Sequence, residues 1–471
     1  MTLCSVALLG ATSCNGFLSE ESQDEVIVRT VADYSELLFG SGYPSPSEGE
    51  YNIMYAMDDD YQIREPYLNT DETTLSALAA YPFFTWQPSM WRYTVVDYTL
   101  YDYKDPYSAT YERIMGVNAV LDGIDDAING TAEDKAIVKA EALGLRGYYY
   151  YMLTNLFGKP YNVDPSSLGV PLKLTASIEA NGIKRSTVME CYRQIVSDMT
   201  QADSIFRMYD KRRGSYRMNL PTVDILLSRV YLQQEQWQKV VDVCSEAIKT
   251  GGALTDYSTL AATAGGTQSI ASYNNSEVEW VFGCGVRACN LGSLMASAEL
   301  TSLFTNDDYR TGLWFSNGNV FKNRHYLTTT NPTKTIRTSE AYLARAEAFA
   351  RLGNLDEALA DLNALRQCRY KATMPGRTMA MPATKEALLD SILEERRREL
   401  CFDEVRWFDL RRLGMPQLTH RYKAMRNASW STYVLQENDP LYTLPIPATA
   451  LVANPDLKQN SSADEPERKG N

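Results

Sequence analysis

Histidine is almost missing from this chain: two occur in 471 residues, His325 and His420, and no His-x-x-x-His spacing exists. A zinc hydrolase or a Ser-His-Asp enzyme would have to be built almost without imidazole, which excludes most hydrolase chemistry. There is no Cys-x-x-Cys pair, so no metal site and no cofactor are expected. Long basic runs are missing too. With 46 Lys plus Arg against 59 Asp plus Glu the net charge is -13, and outside Arg396 to Arg398 nothing tracks a phosphate backbone, so nucleic acid is not a partner. No pair of acids stands out as the two carboxylates, roughly 5 to 9 Å apart, that a glycoside hydrolase of helical type needs. No enzymatic role is expected.

What is present is core-building material. Hydrophobic residues make up 44% and charged residues 22%, ordinary globular values that indicate neither disorder nor a multi-span membrane protein. Tyrosine is plentiful at 31. Its ring stacks on a sugar face and its hydroxyl donates a hydrogen bond, but tyrosines also fill helical-repeat cores.

The periodicity is helical. In Ser339 to Arg369, Tyr342, Ala346, Phe349, Gly353, Ala358 and Leu362 fall where a tetratricopeptide repeat places its bulky, small and turn residues. Leu220 to Gly251 is a weaker copy, with Tyr231 and Trp237 flanking the turn and Ala247 beyond it. Apolar spacing of three and four predicts further helices over Asp134 to Phe157, Thr187 to Met208 and roughly Thr110 to Ile128. Turn-rich insertions lie at Ser41 to Asp105, Asn162 to Lys184, Gly251 to Asn275 and Thr311 to Pro332, and such insertions in repeat folds often form a binding face. The polar tail Ser461 to Asn471 is expected to be disordered.

Near the C-terminus, Lys385 to Leu400 reads as one helix with Leu388, Leu389, Ile392, Leu393 and Leu400 on an apolar arc. Arg396 and Glu399 fall inside that arc, whereas Glu394, Arg397 and Arg398 face away. Charges on a buried stripe are costly unless paired, so Arg396 and Glu399 should bond each other, acids such as Asp409, or orphan helix ends. A glutamate beside three arginines should have a lowered pKa, which suits an ion pair better than a catalytic acid.

That helix opens a signature, Glu394-Glu395-Arg396-Arg397-Arg398-Glu399-Leu400 then Arg406-Trp407-Phe408-Asp409-Leu410-Arg411-Arg412, followed by Leu444-Pro445-Ile446-Pro447 and Asn454 to Asn460. It resembles the C-terminal blocks of the SusD/RagB family of outer-membrane nutrient-capture lipoproteins. Further blocks agree in order: Tyr111-Glu112-Arg113-Ile114 with Asn118, Glu141-Ala142 with Arg146 and Tyr148-Tyr149, Asp307-Asp308-Tyr309-Arg310, and Ile336-Arg337 before Glu340. Arg146 and Asn118, like Arg396 and Glu399, are expected on packed faces. The resemblance implies a mainly α fold, a tetratricopeptide-like scaffold with long irregular loop insertions and little β structure, as one domain over 14–460.

The N-terminus fits that resemblance. Met1 to Ser13 carries no charge and ends in Ala11-Thr12-Ser13 before Cys14, as a lipoprotein signal does, although no positive n-region precedes it and the true start is expected upstream. The run is far too short to span a bilayer, which needs about 20 residues. Cys14 is the expected lipid-attachment site, placing the protein on the outer membrane facing outward. Cys284 and Cys289 are close enough to bridge, while Cys191, Cys244, Cys368 and Cys401 sit in helical patterns as small hydrophobes.

The resemblance further implies an oligosaccharide ligand and a SusC-like TonB-dependent transporter as partner. A peptide-capturing member of the family and a tetratricopeptide-type interaction scaffold remain alternatives. Loop aromatics without helical periodicity are the candidate ligand contacts: Trp86 and Trp91 first, near Asn69 and Asp71, then Tyr67, and Trp314 beside Asn317-Gly318-Asn319. Asp58-Asp59-Asp60 lacks the alternating spacing of a calcium loop and reads as a solvated acidic turn.

Overall fold

The computed structural model describes residues 28–45, 51–92, 105–179, 181–209, 214–261, 270–283, 293–316, 320–321 and 334–471. Cys14, the signal segment, Cys284, Cys289, His325 and Asn317 to Asn319 lie outside them. Among the described residues there are sixteen α-helices and four two-stranded antiparallel sheets, so the chain is mainly α with little β structure.

The scaffold is a stack of antiparallel helices. Pro106–Gly123 packs on Ala132–Phe157, which packs on Val188–Tyr209, and the pair Leu220–Gln233 and Trp237–Thr250 follows. Thr338–Leu352 lies against Trp237–Thr250 and pairs with Leu355–Arg369, and Lys385–Leu400 closes the stack. The two repeat-like units therefore sit face to face, joined by a bidentate pair between Arg229 and Glu340 at 2.7 Å. Local chemistry fixes their limits. Thr131 and Asp134 form a capping box at the start of Ala132–Phe157, and Gly353 ends Thr338–Leu352 at φ 92°, a left-handed conformation that favours glycine.

The C-terminal signature forms buried ion networks. Glu399 accepts from Arg310 at 2.9 Å, from Arg369 at 3.0 Å through both its oxygens, and from Arg337. Arg396 donates to Asp409 at 2.8 Å and lies 3.6 Å from Glu340, but it does not pair with Glu399. Burial pushes the Glu395 carboxyl up, yet the guanidiniums of Arg310, Arg398 and Arg366 outweigh it and hold the pKa at about 2. Asp409 is held at about 2 against its burial by Arg396 and Arg412. One expectation is corrected here: Arg398 does not face away but is buried, bonded to Glu395 at 3.0 Å, because neighbouring segments cover that side of the helix as well.

The second half of the signature serves the end of the Ala132–Phe157 helix, whose last carbonyls lack partners within the helix. The Asn460 amide donates to the Phe157 carbonyl at 2.8 Å and to that of Leu444 at 2.7 Å, and its oxygen accepts from Arg185 at 2.8 Å. Arg185 also donates to Phe157 at 2.8 Å. On the same helix, Arg146 clamps Asp198 through two 2.8 Å bonds and reaches Asn118 at 3.1 Å, while Asn118 donates to the Lys173 carbonyl at 2.9 Å.

Two further expectations are corrected. The tail is not disordered: Arg468 bonds the carbonyls of Trp86 and Val434 and the Asp439 carboxylate, and Asn471 exchanges backbone hydrogen bonds with Thr432 at the edge of the Leu418–Tyr422 and Ser431–Leu435 hairpin. Composition pointed to disorder, but the specific partners of one arginine decide otherwise. Nor is Asp58 to Asp60 a solvated turn. Asp58 and Asp60 are buried, with Arg406 clamping Asp59 at 2.7 Å and Arg397 reaching Asp60 at 2.8 Å.

Candidate functional site

The segment from Arg64 to Thr74 and the hairpin loop 423–430 are laced together at one end of the molecule. Pro66 sits in a single 3-10 turn, Glu65–Tyr67, whose pre-set φ suits the proline. Buried Leu68 anchors that turn, leaving Tyr67 pointing outward at 57% exposure. Backbone bonds from Arg426 to Asn69 at 2.7 Å, from Asn427 to Thr70 at 3.1 Å and from Thr74 to Ala424 at 2.7 Å hold the two loops in register. Within the first loop the Asn69 backbone N–H donates to the Thr74 hydroxyl at 2.7 Å. A cleft of about 620 Å³ results, lined by Tyr67, Asn69, Thr70, Asp71, Glu72 and Arg426 with Pro66 and Leu68 below.

The cleft has an exposed aromatic ring beside convergent polar groups. Arg64 places its guanidinium 4.1 Å from the Tyr67 ring centroid, which braces one face of the ring. Asn427 donates to Asp71 and Arg426 donates to the Pro66 carbonyl at 2.7 Å, so these two of the three charged cleft residues are held by the opposite loop, the third being Glu72. A flat ring with an amide, a carboxylate and a guanidinium beside it can stack a pyranose and exchange hydrogen bonds with its hydroxyls.

Of the five ligand-contact residues expected from sequence, this cleft brings together Tyr67 and Asn69. Trp86 and Trp314 are each 1% exposed and so have no ring face for a ligand. Trp86, at φ 49° just beyond the Leu75–Phe84 helix, donates its indole N–H to the Met57 carbonyl at 2.9 Å and stacks on His420 with centroids 4.2 Å apart. Trp314 packs edge-on against Tyr257 and Phe304. Trp91 is partly buried: its indole donates to the Pro445 carbonyl at 2.6 Å and its ring meets Phe83 and Phe157, fastening the loop to the C-terminal signature. These tryptophans lack helical periodicity because they pin loops to the core, the opposite of what that irregularity suggested.

In the core, His420 lies between Phe84 and Trp86, its ring nitrogens 2.7 Å and 3.0 Å from the carbonyls of Phe84 and Asp58. Burial pushes its pKa down to about 4, against the pull of those two carbonyls. The residues that sequence reasoning passed over are Arg426 and Arg64. A usable signal existed: Leu418, His420 and Tyr422 alternate with Thr419 and Arg421, the mark of a strand, and the β-prone Thr432-Tyr433-Val434 follows, which places Arg426 in a hairpin connection.

A sequence model of the SusD family matches residues 301–462, and a second, described as starch-binding associating with outer membrane, matches residues 50–232. No curated protein matches this chain in sequence. Among solved structures, a SusD superfamily protein from Bacteroides thetaiotaomicron is 25% identical with a TM-score of 0.70, over 92% of this chain and 99% of that one. A SusD-like carbohydrate binding protein from Bacteroides vulgatus is 20% identical at TM-score 0.67, over 91% of this chain and 97% of its own. A SusD superfamily protein from Bacteroides fragilis is 21% identical at TM-score 0.68, over 91% and 98%. The last two are similar to this chain in fold.

Proposed function

The chain belongs to the SusD-like family, and from that premise we propose that it captures an oligosaccharide at the outer surface and hands it to a TonB-dependent outer-membrane transporter. Carbohydrate binding and association with the outer membrane are properties of that family, whose members are binding proteins rather than enzymes. Among the described residues no helix is long and apolar enough to cross a membrane. Attachment is through lipid at Cys14. The chain reads as one capture domain over 14–460, in which the helical stack supplies a rigid frame and the transporter supplies the energy of import.

The observation that carries the ligand reading is the Tyr67 cleft: an exposed ring, braced from behind, with Asn69, Asp71 and Arg426 around it. Calorimetry of the full-length chain in detergent against a panel of oligosaccharides, with digested peptides in parallel, tests it. Saturable sugar binding that Tyr67→Ala abolishes is expected, with no release of reducing sugar. Binding to peptides alone, or sugar binding that Tyr67→Ala leaves intact, would refute the assignment. Cys14→Ala should move the protein from the membrane to the soluble fraction, and co-purification with a barrel transporter should survive Tyr67→Ala.

A further inference from the structure

Most arginines of the C-terminal half are spent on carboxylates, among them Arg310, Arg337, Arg369, Arg396, Arg398, Arg406, Arg412 and Arg468. Arg64 and Arg426, which flank Tyr67 from the two ends of the chain, are not. Among the described residues neither Arg64 nor Arg426 forms an ion pair: Arg64 contacts the tyrosine ring, and Arg426 uses Nη2 on the Pro66 carbonyl, leaving Nε and Nη1 for a ligand. The acids at the same cleft are placed differently. Asp71 is held by Asn427 on the opposite loop, and Glu65 is paired with Lys423. Arg426 therefore keeps donors unmatched beside the exposed ring, within a lining that also carries the carboxylates of Asp71 and Glu72.

We propose that this cleft selects an acidic sugar, a hexuronic-acid residue within an oligosaccharide. Its carboxylate meets Arg426, its ring lies on the open face of Tyr67, and its hydroxyls donate to Asp71 and to the Asn69 side chain. The guanidinium fork matches a carboxylate in plane and spacing, and such charge-assisted bonds are about twice as strong as neutral ones. Asp71 and Glu72 then orient the sugar, since they repel its carboxylate toward the arginine side while accepting from its hydroxyls. This inference rests on the reading of the cleft as the glycan site.

The test uses the full-length chain in nonionic detergent with uronate-bearing oligosaccharides of several linkages, the same oligosaccharides with their carboxyl groups reduced to alcohols, and neutral glucans. The acidic form should bind about tenfold tighter than its reduced counterpart at low salt, and the ratio should shrink at 0.5 M salt, as expected of a partly exposed ion contact. Arg426→Gln should bring the ratio close to one, Arg426→Lys should keep part of it, and Arg64→Gln, which removes the brace behind the ring, should weaken the acidic and reduced forms alike. Thermal melts check that each variant folds. Equal or tighter binding of the reduced form, or a ratio that Arg426→Gln leaves unchanged, overturns the inference. If neutral glucans bind in a Tyr67-dependent way and uronates do not, the acidic preference fails while carbohydrate capture stands. If only peptides bind, both readings fall.

Discussion

Glu399→Gln removes one negative charge from the centre of a buried network and changes almost no volume. In the native protein Glu399 is 0% exposed and accepts from Arg310, Arg337 and Arg369, themselves fully buried. Burial raises the Glu399 pKa, but the three guanidiniums outweigh it and hold it well below the ordinary carboxylate range. The glutamine amide keeps one acceptor oxygen and turns an N–H₂ toward guanidinium donors, so three cations lose their shared anion. Breaking a buried ion group by neutralising one partner costs about 3–5 kcal/mol. With an unfolding entropy of about 2.1 cal/mol/K per residue, the 471-residue chain has an entropy of about 1 kcal/mol/K, so Tm should fall by about 3–5 °C if the scaffold melts as one unit. Calorimetric melting and the urea midpoint measure this, with an unchanged m-value showing that stability alone has moved. The control is Glu394→Gln, whose side chain is 52% exposed and among the described residues pairs with Arg398; it should melt within about 1 °C of the parent. A Glu399→Gln protein that also melts within about 1 °C would refute the claim that the signature is a stabilising ion core.

Acid should weaken the fold in two windows. The folded His420 pKa, about 4, lies below its ordinary 6.5, so the unfolded chain takes up a proton first and roughly 3 kcal/mol is lost as pH falls from about 6.5 to 4; His420→Gln should flatten the urea midpoint over that range. Glu395 and Asp409, at about 2 in the fold against 4.5 and 3.8, add stability that is complete above pH 4.5 and lost below it, about 3 and 2 kcal/mol respectively, which the midpoint between pH 4.5 and 2 measures. Trp86→Ala should cost about 3–5 kcal/mol in urea unfolding without removing sugar contacts, because the indole is a core group. Gly252→Ala should lower Tm by several degrees or prevent expression of folded protein, since a Cβ there would stand 1.5 Å from the Ser276 carbonyl oxygen, a backbone atom that cannot move aside.

Helices are written locally, and the sequence carried them: the apolar spacing of Asp134 to Phe157 and the small and bulky positions of Ser339 to Arg369 lie within two residues of the observed Ala132–Phe157, Thr338–Leu352 and Leu355–Arg369 limits. The charged residues on the stripe of Lys385–Leu400 could be recognised as needing partners, and Asp409 was within reach as a partner because it lies 13 residues from Arg396. Which acid meets which arginine across longer separations was not legible. Glu399 takes Arg310 from 89 residues away and Arg337 from 62, and such choices depend on how helices stack.

The loops divided in the same way. Their irregular composition marked where the chain leaves the helical stack, and Tyr67 and Asn69 of the proposed cleft lie in one of them. Exposure, however, belongs to the assembled molecule: Trp86 and Trp314 are covered by segments far along the chain, whereas Tyr67 is left bare by a three-residue turn and faced by Arg426 from a hairpin some 360 residues later. The sequence by itself determined the helical scaffold, its family and the residues that must find charge partners, because hydrophobic period and unpaired charge act at short range. Only the tertiary structure decided which aromatic faces water and which arginines, among the described residues, stay outside ion pairs, because burial and ion pairing are settled between segments that meet only when the chain is folded.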